Sequence, residues 1–202
     1  MPRVAGQIDI HKSEAILDAA MAVLADRGVS VSMDEIARRA GVSKQTVYNH
    51  FGSKAELVRI MAERRVHEIT APLAAPDAVE NPEEALAGYA RVLMAAALQT
   101  KGAGLYRTAI LHAPEMPDVA RAMWEAGPKA SRARLAEFLA LETKAGRIFC
   151  PNPAEAAEFF GGMVVGSYQT AILLGVEIDL DDAKIERIAT EAARRFLRAY
   201  AA

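Results

Sequence analysis

Apolar residues recur along most of this 202-residue chain at the three- and four-residue spacing of amphipathic helices, and strand-like alternation is almost absent. Ile16, Ala19, Ala20, Val23 and Leu24 form a first stripe, closed by Gly28. Ser32 opens a second helix with Glu35 three residues on, the spacing of a capping box, and Gly41 ends it. Ser43 opens a third, Gly52 ends that, and Ser53 with Glu56 opens a fourth. The fourth runs through Leu57, Ile60 and Met61 to about Thr70, before Pro72 and Pro76 interrupt it. Those prolines divide the chain into residues 10–70 and 71–202. In the second part Asn81-Pro82-Glu83-Glu84 starts a helix that reaches about Thr100, and a short one spans about 103–112. A longer helix covers about 117–144 with a kink at Gly127-Pro128. Asn152-Pro153 starts another to about Leu174, and Asp181 the last. The pattern predicts an all-α protein of about nine helices.

The polar interruption GVSKQTVYNHFGSKAEL is the informative one. On a helical wheel Val47 and Phe51 share one face and can pack with Val42, Ile36 and Ala40. Gln45 and Asn49 fall nearly opposite, with Thr46 and Tyr48 on the flanks. Side-chain amides suit the adenine edge in a major groove, while hydroxyls, phenols and helix N-termini suit phosphate oxygens. Lys44 and Lys54 add cations at two successive helix starts. Residues 32–51 thus have the dimensions of a helix-turn-helix, although a plain helical hairpin with a glycine turn has the same spacing.

The residues themselves distinguish the two. SMDEIARRAGVSKQTVYNHFGSKAEL resembles the DNA-binding region of the tetracycline-repressor (TetR) family of bacterial regulators. The match runs through Gly41, Val42, Ser43, Lys44, Thr46, Tyr48, Phe51, Ser53, Lys54 and Leu57, and back through Ile16, Ala20 and Gly28. The resemblance implies that residues 43–50 form the recognition helix and that Lys54 touches phosphate. It also implies that His50 reaches a phosphate beside them. The expected DNA-contacting set is Ser43, Lys44, Gln45, Thr46, Tyr48, Asn49, His50 and Lys54. LHAPEMPDVARAMWEAGPKA is similar to the effector domains of AefR-like regulators within that family. The resemblance implies an N-terminal three-helix DNA-binding domain and a larger helical domain for dimerisation and ligand binding.

Composition permits this reading without demanding it. Hydrophobic residues make up 52% and charged residues 25%, a globular balance, and the net charge is −2. Residues 1–65 hold 10 Lys and Arg against 8 Asp and Glu, so the mild basic excess lies at the DNA-reading end. The start MPRVAGQIDIHKSEAIL has no continuous apolar leader, GGMVVGSYQTAILLGV is too short and polar to span a bilayer, and Cys150 is the one cysteine. A cytoplasmic location is expected.

In the C-terminal part Ile185, Ala189, Ala192 and Phe196 follow an a/d seam, and Gly162, Gly166 and Thr170 form a small-residue stripe. Both suit a dimer interface, and both would equally suit the core of their own subunit. Tyr89, Leu93, Tyr106, Ile110, Met123, Trp124, Phe160 and Met163 sit on helices that could surround a cavity for an apolar or aromatic effector. Arg107 is the candidate partner for an anionic group. Such residues also fill ordinary cores. The four histidines and Cys150 lack metal spacing, no cofactor is implied, and no Ser-His-Asp order or glycine-rich phosphate loop stands out. The expectation is a homodimeric repressor on a palindromic operator, released by its effector. Its rivals are an activator, a regulator without a ligand, and an all-α enzyme with an apolar pocket.

Overall fold

The computed structural model describes residues 10–98 and 100–202. The opening MPRVAGQID, where no leader is expected, lies outside them, as does Gln99. Among the described residues α1 is Ile10–Arg27, α2 Met33–Ala40, α3 Lys44–Phe51, α4 Lys54–Thr70, α5 Pro82–Leu98, α6 Thr100–Leu111, α7 Pro117–Trp124, α8 Ala130–Lys144, α9 Pro153–Leu173 and α10 Asp182–Ala199. A 3-10 turn, Ala71–Ala74, follows α4. α7 and α8 run on through a π turn, Glu125–Lys129. The helix predicted over 117–144 is therefore one rod with a bend. Pro128 supplies no N–H there, and Gly127 absorbs the break with a non-helical φ of −99° and ψ of −105°. An isolated antiparallel bridge joins Ile148 to Ala201.

Helices α2, α3 and α4 begin where serines can take up orphan amides. Ser32, Ser43 and Ser53 accept from the backbone N–H of Glu35, Thr46 and Glu56 at 3.2, 3.1 and 3.1 Å. Each such cap typically contributes about 1 kcal/mol. Gly28 ends α1 with φ +75°, and a Cβ there would run into the side chain of Thr108 on α6. The Thr108 hydroxyl in turn accepts the Val29 N–H at 3.1 Å. Glycine is thus required at position 28 both by its backbone and by the close approach of α6.

Two cores result. The first gathers Ile16, Ala20, Leu24, Ile36, Val47, Phe51, Leu57 and Val58 from α1–α4, and extends to Ala109 of α6 and Val119 and Met123 of α7. The second gathers Leu86, Tyr89, Met94, Leu135, Leu139, Phe160, Val164, Ala193 and Phe196, and includes Ile69 from the far end of α4. α4 therefore contributes to both. Pro72 lies just beyond it, but packing crosses that point through α6 and α7.

The seam on α10 differs from its expected role. Ala189, Ala192 and Phe196 are buried within the chain itself, with Ile185 packed beside them. Phe196 meets Phe160 edge-on, ring centroids 5.1 Å apart. Ala189, Ala192 and Phe196 are therefore spent on the core of their own subunit, with Ile185 half-buried at its edge. An a/d spacing says that a helix packs along that stripe; it does not say whose helix packs there. Gly162, Gly166 and Thr170 are exposed on α9, beside exposed Phe159 and Met163. Among the described residues no helix is long and apolar enough to cross a membrane, and no cluster of His, Cys, Asp or Glu is placed to hold a metal ion.

Candidate nucleic-acid interface

α3 is held from behind and open in front. Val47 and Phe51 are buried in the first core with Ile36, while Val42 and Ala40 pack at its edge. Gln45 and Asn49 are exposed on the outer side, and Gln45 Nε2 donates to Asn49 Oδ1 at 2.7 Å. The two amides therefore act as one unit, leaving Gln45 Oε1 to accept and Asn49 Nδ2 to donate. That is the pair of groups a base edge in the major groove can meet.

Hydroxyls and cations flank that pair. Ser43 Oγ lies 2.8 Å from Thr46 Oγ1, so both hydroxyls sit at the exposed helix start. Lys44 Nζ pairs with Asp34 Oδ1 of α2 at 2.8 Å and lies 5.9 Å from the Tyr48 ring centroid. The hydrogen bond and charge of Asp34 raise the Lys44 pKa, so the ammonium stays charged. Tyr48 is exposed enough to offer its phenol outward. His50 Nδ1 meets Ser13 Oγ of α1 at 2.8 Å, which ties the end of α3 to the first helix. Lys54 starts α4, but its ammonium lies 3.9 Å from Met116 Sδ, in the seam with α7. Partial burial lowers its pKa. Arg39, which the sequence pattern does not single out, is exposed at the end of α2 with no ion pair among the described residues.

The nine side chains expected around an effector cavity do not enclose one together. Tyr89 and Phe160 are core residues in ring contact at 6.1 Å, and the Tyr89 hydroxyl is bonded to Ser131 Oγ at 3.0 Å. Met123 belongs to the first core, Leu93 packs against the second, and Ile110 and Met163 face outward. Arg107 is engaged elsewhere: its Nε and Nη2 donate to the carbonyls of Leu173 and Ile172 at 2.8 and 2.6 Å, capping the end of α9. Trp124 lies beside Arg132 rather than Arg107, with the guanidinium 5.8 Å from its ring, and the Arg132 charge also acts on the Tyr106 hydroxyl. A separate open recess of about 390 Å³ lies between α4 and the α7–α8 rod, lined by Val66, Ala122, Ala126 and Ala130 with Arg59, Glu63, Glu125 and Arg134 at its polar parts. Neither this recess nor a smaller one beside α5 is lined by any of the nine.

Residues 16–61 match the family described as bacterial regulatory proteins, tetR family. Residues 84–202 match the AefR-like transcriptional repressor C-terminal domain. The chain is 32% identical to the HTH-type transcriptional repressor Rv3405c of Mycobacterium tuberculosis (strain ATCC 25618 / H37Rv) over 139 residues, covering 68% of this chain and 72% of that one. Other curated regulators match over shorter stretches, and the chain spans only 25% to 42% of their length. A TetR-family regulator structure from Mesorhizobium loti MAFF303099 is similar at TM-score 0.77 and 28% identity, covering 97% of this chain and 100% of that one. The structure of the flavonoid-responsive regulator FrrA is similar at TM-score 0.71 and 31% identity, covering 95% and 97%.

Proposed function

This chain belongs to the tetR family of bacterial regulatory proteins, and on that premise we propose that it is a transcriptional repressor acting as a homodimer on a two-fold symmetric operator, released by a small aromatic effector. The observation that carries the DNA-binding part is α3 itself. A capped two-turn helix buries Val47 and Phe51 and exposes a bonded amide pair flanked by hydroxyls, a phenol and Lys44. The repressor sign is supported by the AefR-like description and by Rv3405c.

Dimerisation is assigned to the exposed face of α9. Phe159 and Met163 are 57% and 44% exposed there, beside the bare backbone of Gly162 and Gly166. Small residues let a second helix approach closely, and two large apolar side chains favour its burial. The aromatic effector is supported by the description of FrrA as flavonoid-responsive and by the exposed Trp124.

Release works by population shift. α4 carries Leu57 and Val58 in the DNA-reading core and Ile69 in the other, so it transmits any change in how the two cores sit. An effector that prefers the arrangement with wrongly spaced recognition helices lowers operator affinity, and DNA lowers effector affinity by the same factor. Fluorescence anisotropy of a labelled duplex pool tests the proposal. The expected result is saturation at two chains per bound duplex, a steep fall in affinity with salt, and release by a small aromatic compound. Binding by single chains would contradict the dimer, and salt-insensitive binding the DNA-reading role.

A further inference from the structure

Arg132 is the one side chain whose buried donors the fold leaves unanswered among the described residues. Its Nε and Nη1 are shielded from solvent and make no hydrogen bond. Glu158 Oε2 lies 2.8 Å from Nε, but off the hydrogen-bonding direction, so the ion pair neutralises charge without satisfying the donor. Buried donors in native proteins almost always find an acceptor, and one that the chain does not supply is open to a ligand.

The surroundings say what kind of ligand. Trp124 is 52% exposed with the guanidinium 5.8 Å from its ring, so a large aromatic surface stands open beside a cation. The Tyr106 hydroxyl has no hydrogen-bond partner among the described residues. Burial pushes its pKa up to about 12 against the Arg132 charge, so it stays a neutral donor.

The location says what such a ligand would do. Trp124 ends α7 and Arg132 lies in the first turn of α8, on either side of the π turn with its non-helical Gly127. Met123, beside Trp124, is buried in the DNA-reading core, while Ser131, beside Arg132, is bonded to Tyr89 of the other. One molecule gripping both residues therefore fixes the bend through which the two cores meet.

We propose that Arg132 and Trp124 bind the carboxylate and the ring of a small aromatic acid across the α7–α8 bend, and that this acid is the class of effector that releases DNA. The proposal rests on the reading of an effector-released regulator, which it deepens. Glu158 is then a competitor for the same cation, so its removal should favour the acid.

The test uses the full chain and three matched pairs: benzoate, phenylacetate and cinnamate against their uncharged amides, by isothermal titration and by anisotropy on a bound duplex. Trp124 is the only tryptophan, so its emission reports the site directly for the non-absorbing pairs. The acids should bind wild type more tightly than the amides, and Arg132→Gln should weaken the acids about 10- to 100-fold while leaving the amides unchanged. Arg132→Lys should fall between, which keeps the test readable if the glutamine variant folds poorly. Glu158→Gln should tighten the acids alone. Equal binding of acids and amides, failure of all six to bind at millimolar concentration, or indifference of the acids to Arg132 and Glu158 would each overturn the anchor. Release of DNA by the amides would overturn it while leaving effector release intact; acids that bind through Arg132 without loosening DNA would overturn the effector role.

Discussion

The Gln45–Asn49 amide pair is a unit, so its two members should fail together at DNA. Gln45→Ala is expected to relax preference at one or two base positions by about 1–3 kcal/mol, read from competition between single-base operator variants. Arg39→Ala should instead weaken all sequences alike and reduce the salt slope by about one contact. Lys54 carries a stability cost: burial depresses its pKa, so the folded state disfavours the charged form. That cost is fully present below the folded pKa and fades as pH rises towards 10.5, the ordinary value of the group in the unfolded chain. Lys54→Met is therefore expected to melt higher than wild type at pH 7, with the difference vanishing near pH 10.5. A variant that melts lower at neutral pH would contradict the partly desolvated placement. The α3 face is legible in the sequence because it depends on residues within two turns of each other. Arg132 is not, because its meeting with Trp124 depends on how a proline and a glycine bend one rod, and with Glu158 on how α8 meets α9.

Among the helices, α9 and α10 show the same limit at larger size. Both carry stripes that ask for a neighbour, but which neighbour is a long-range fact. α10 spends its seam on the core, where Phe196 lies between Phe160 and Tyr200, ring centroids 5.1 and 4.7 Å away. Phe196→Ala is expected to cost about 3–5 kcal/mol of folding stability in a denaturant titration. Met163→Glu, on exposed α9, should leave the fold intact and yield monomer in sedimentation where wild type gives dimer. If Met163→Glu stayed dimeric, the α9 face would be the wrong interface. α9 is itself broken at Gly166, whose φ of +43° and ψ of −137° lie outside helical space. The sequence marks that position only as one small residue in a stripe, so the break is not foreseeable from it. Caps and glycine stops, by contrast, are local chemistry, which is why α2, α3 and α4 begin at the predicted serines.

At the scale of the whole molecule, ties between the DNA-reading core and the rest include α4 through Ile69, α6 through Thr108 against Val29, and α7 through Val119 and Met123. Thr108→Ala would leave the Val29 N–H without its acceptor, costing about 1–3 kcal/mol, and should loosen one of these ties. On the proposed reading, in which each subunit of a homodimer presents one helix to DNA, specificity depends on two copies held at a fixed spacing. Selection of bound duplexes from a random pool, followed by sequencing, measures that directly. The expected consensus has two inverted half-sites with centres a whole number of helical turns apart, about 34–36 Å for one turn. A consensus with a single half-site, or a bound pool no different from the starting one, would contradict a two-fold reader of DNA.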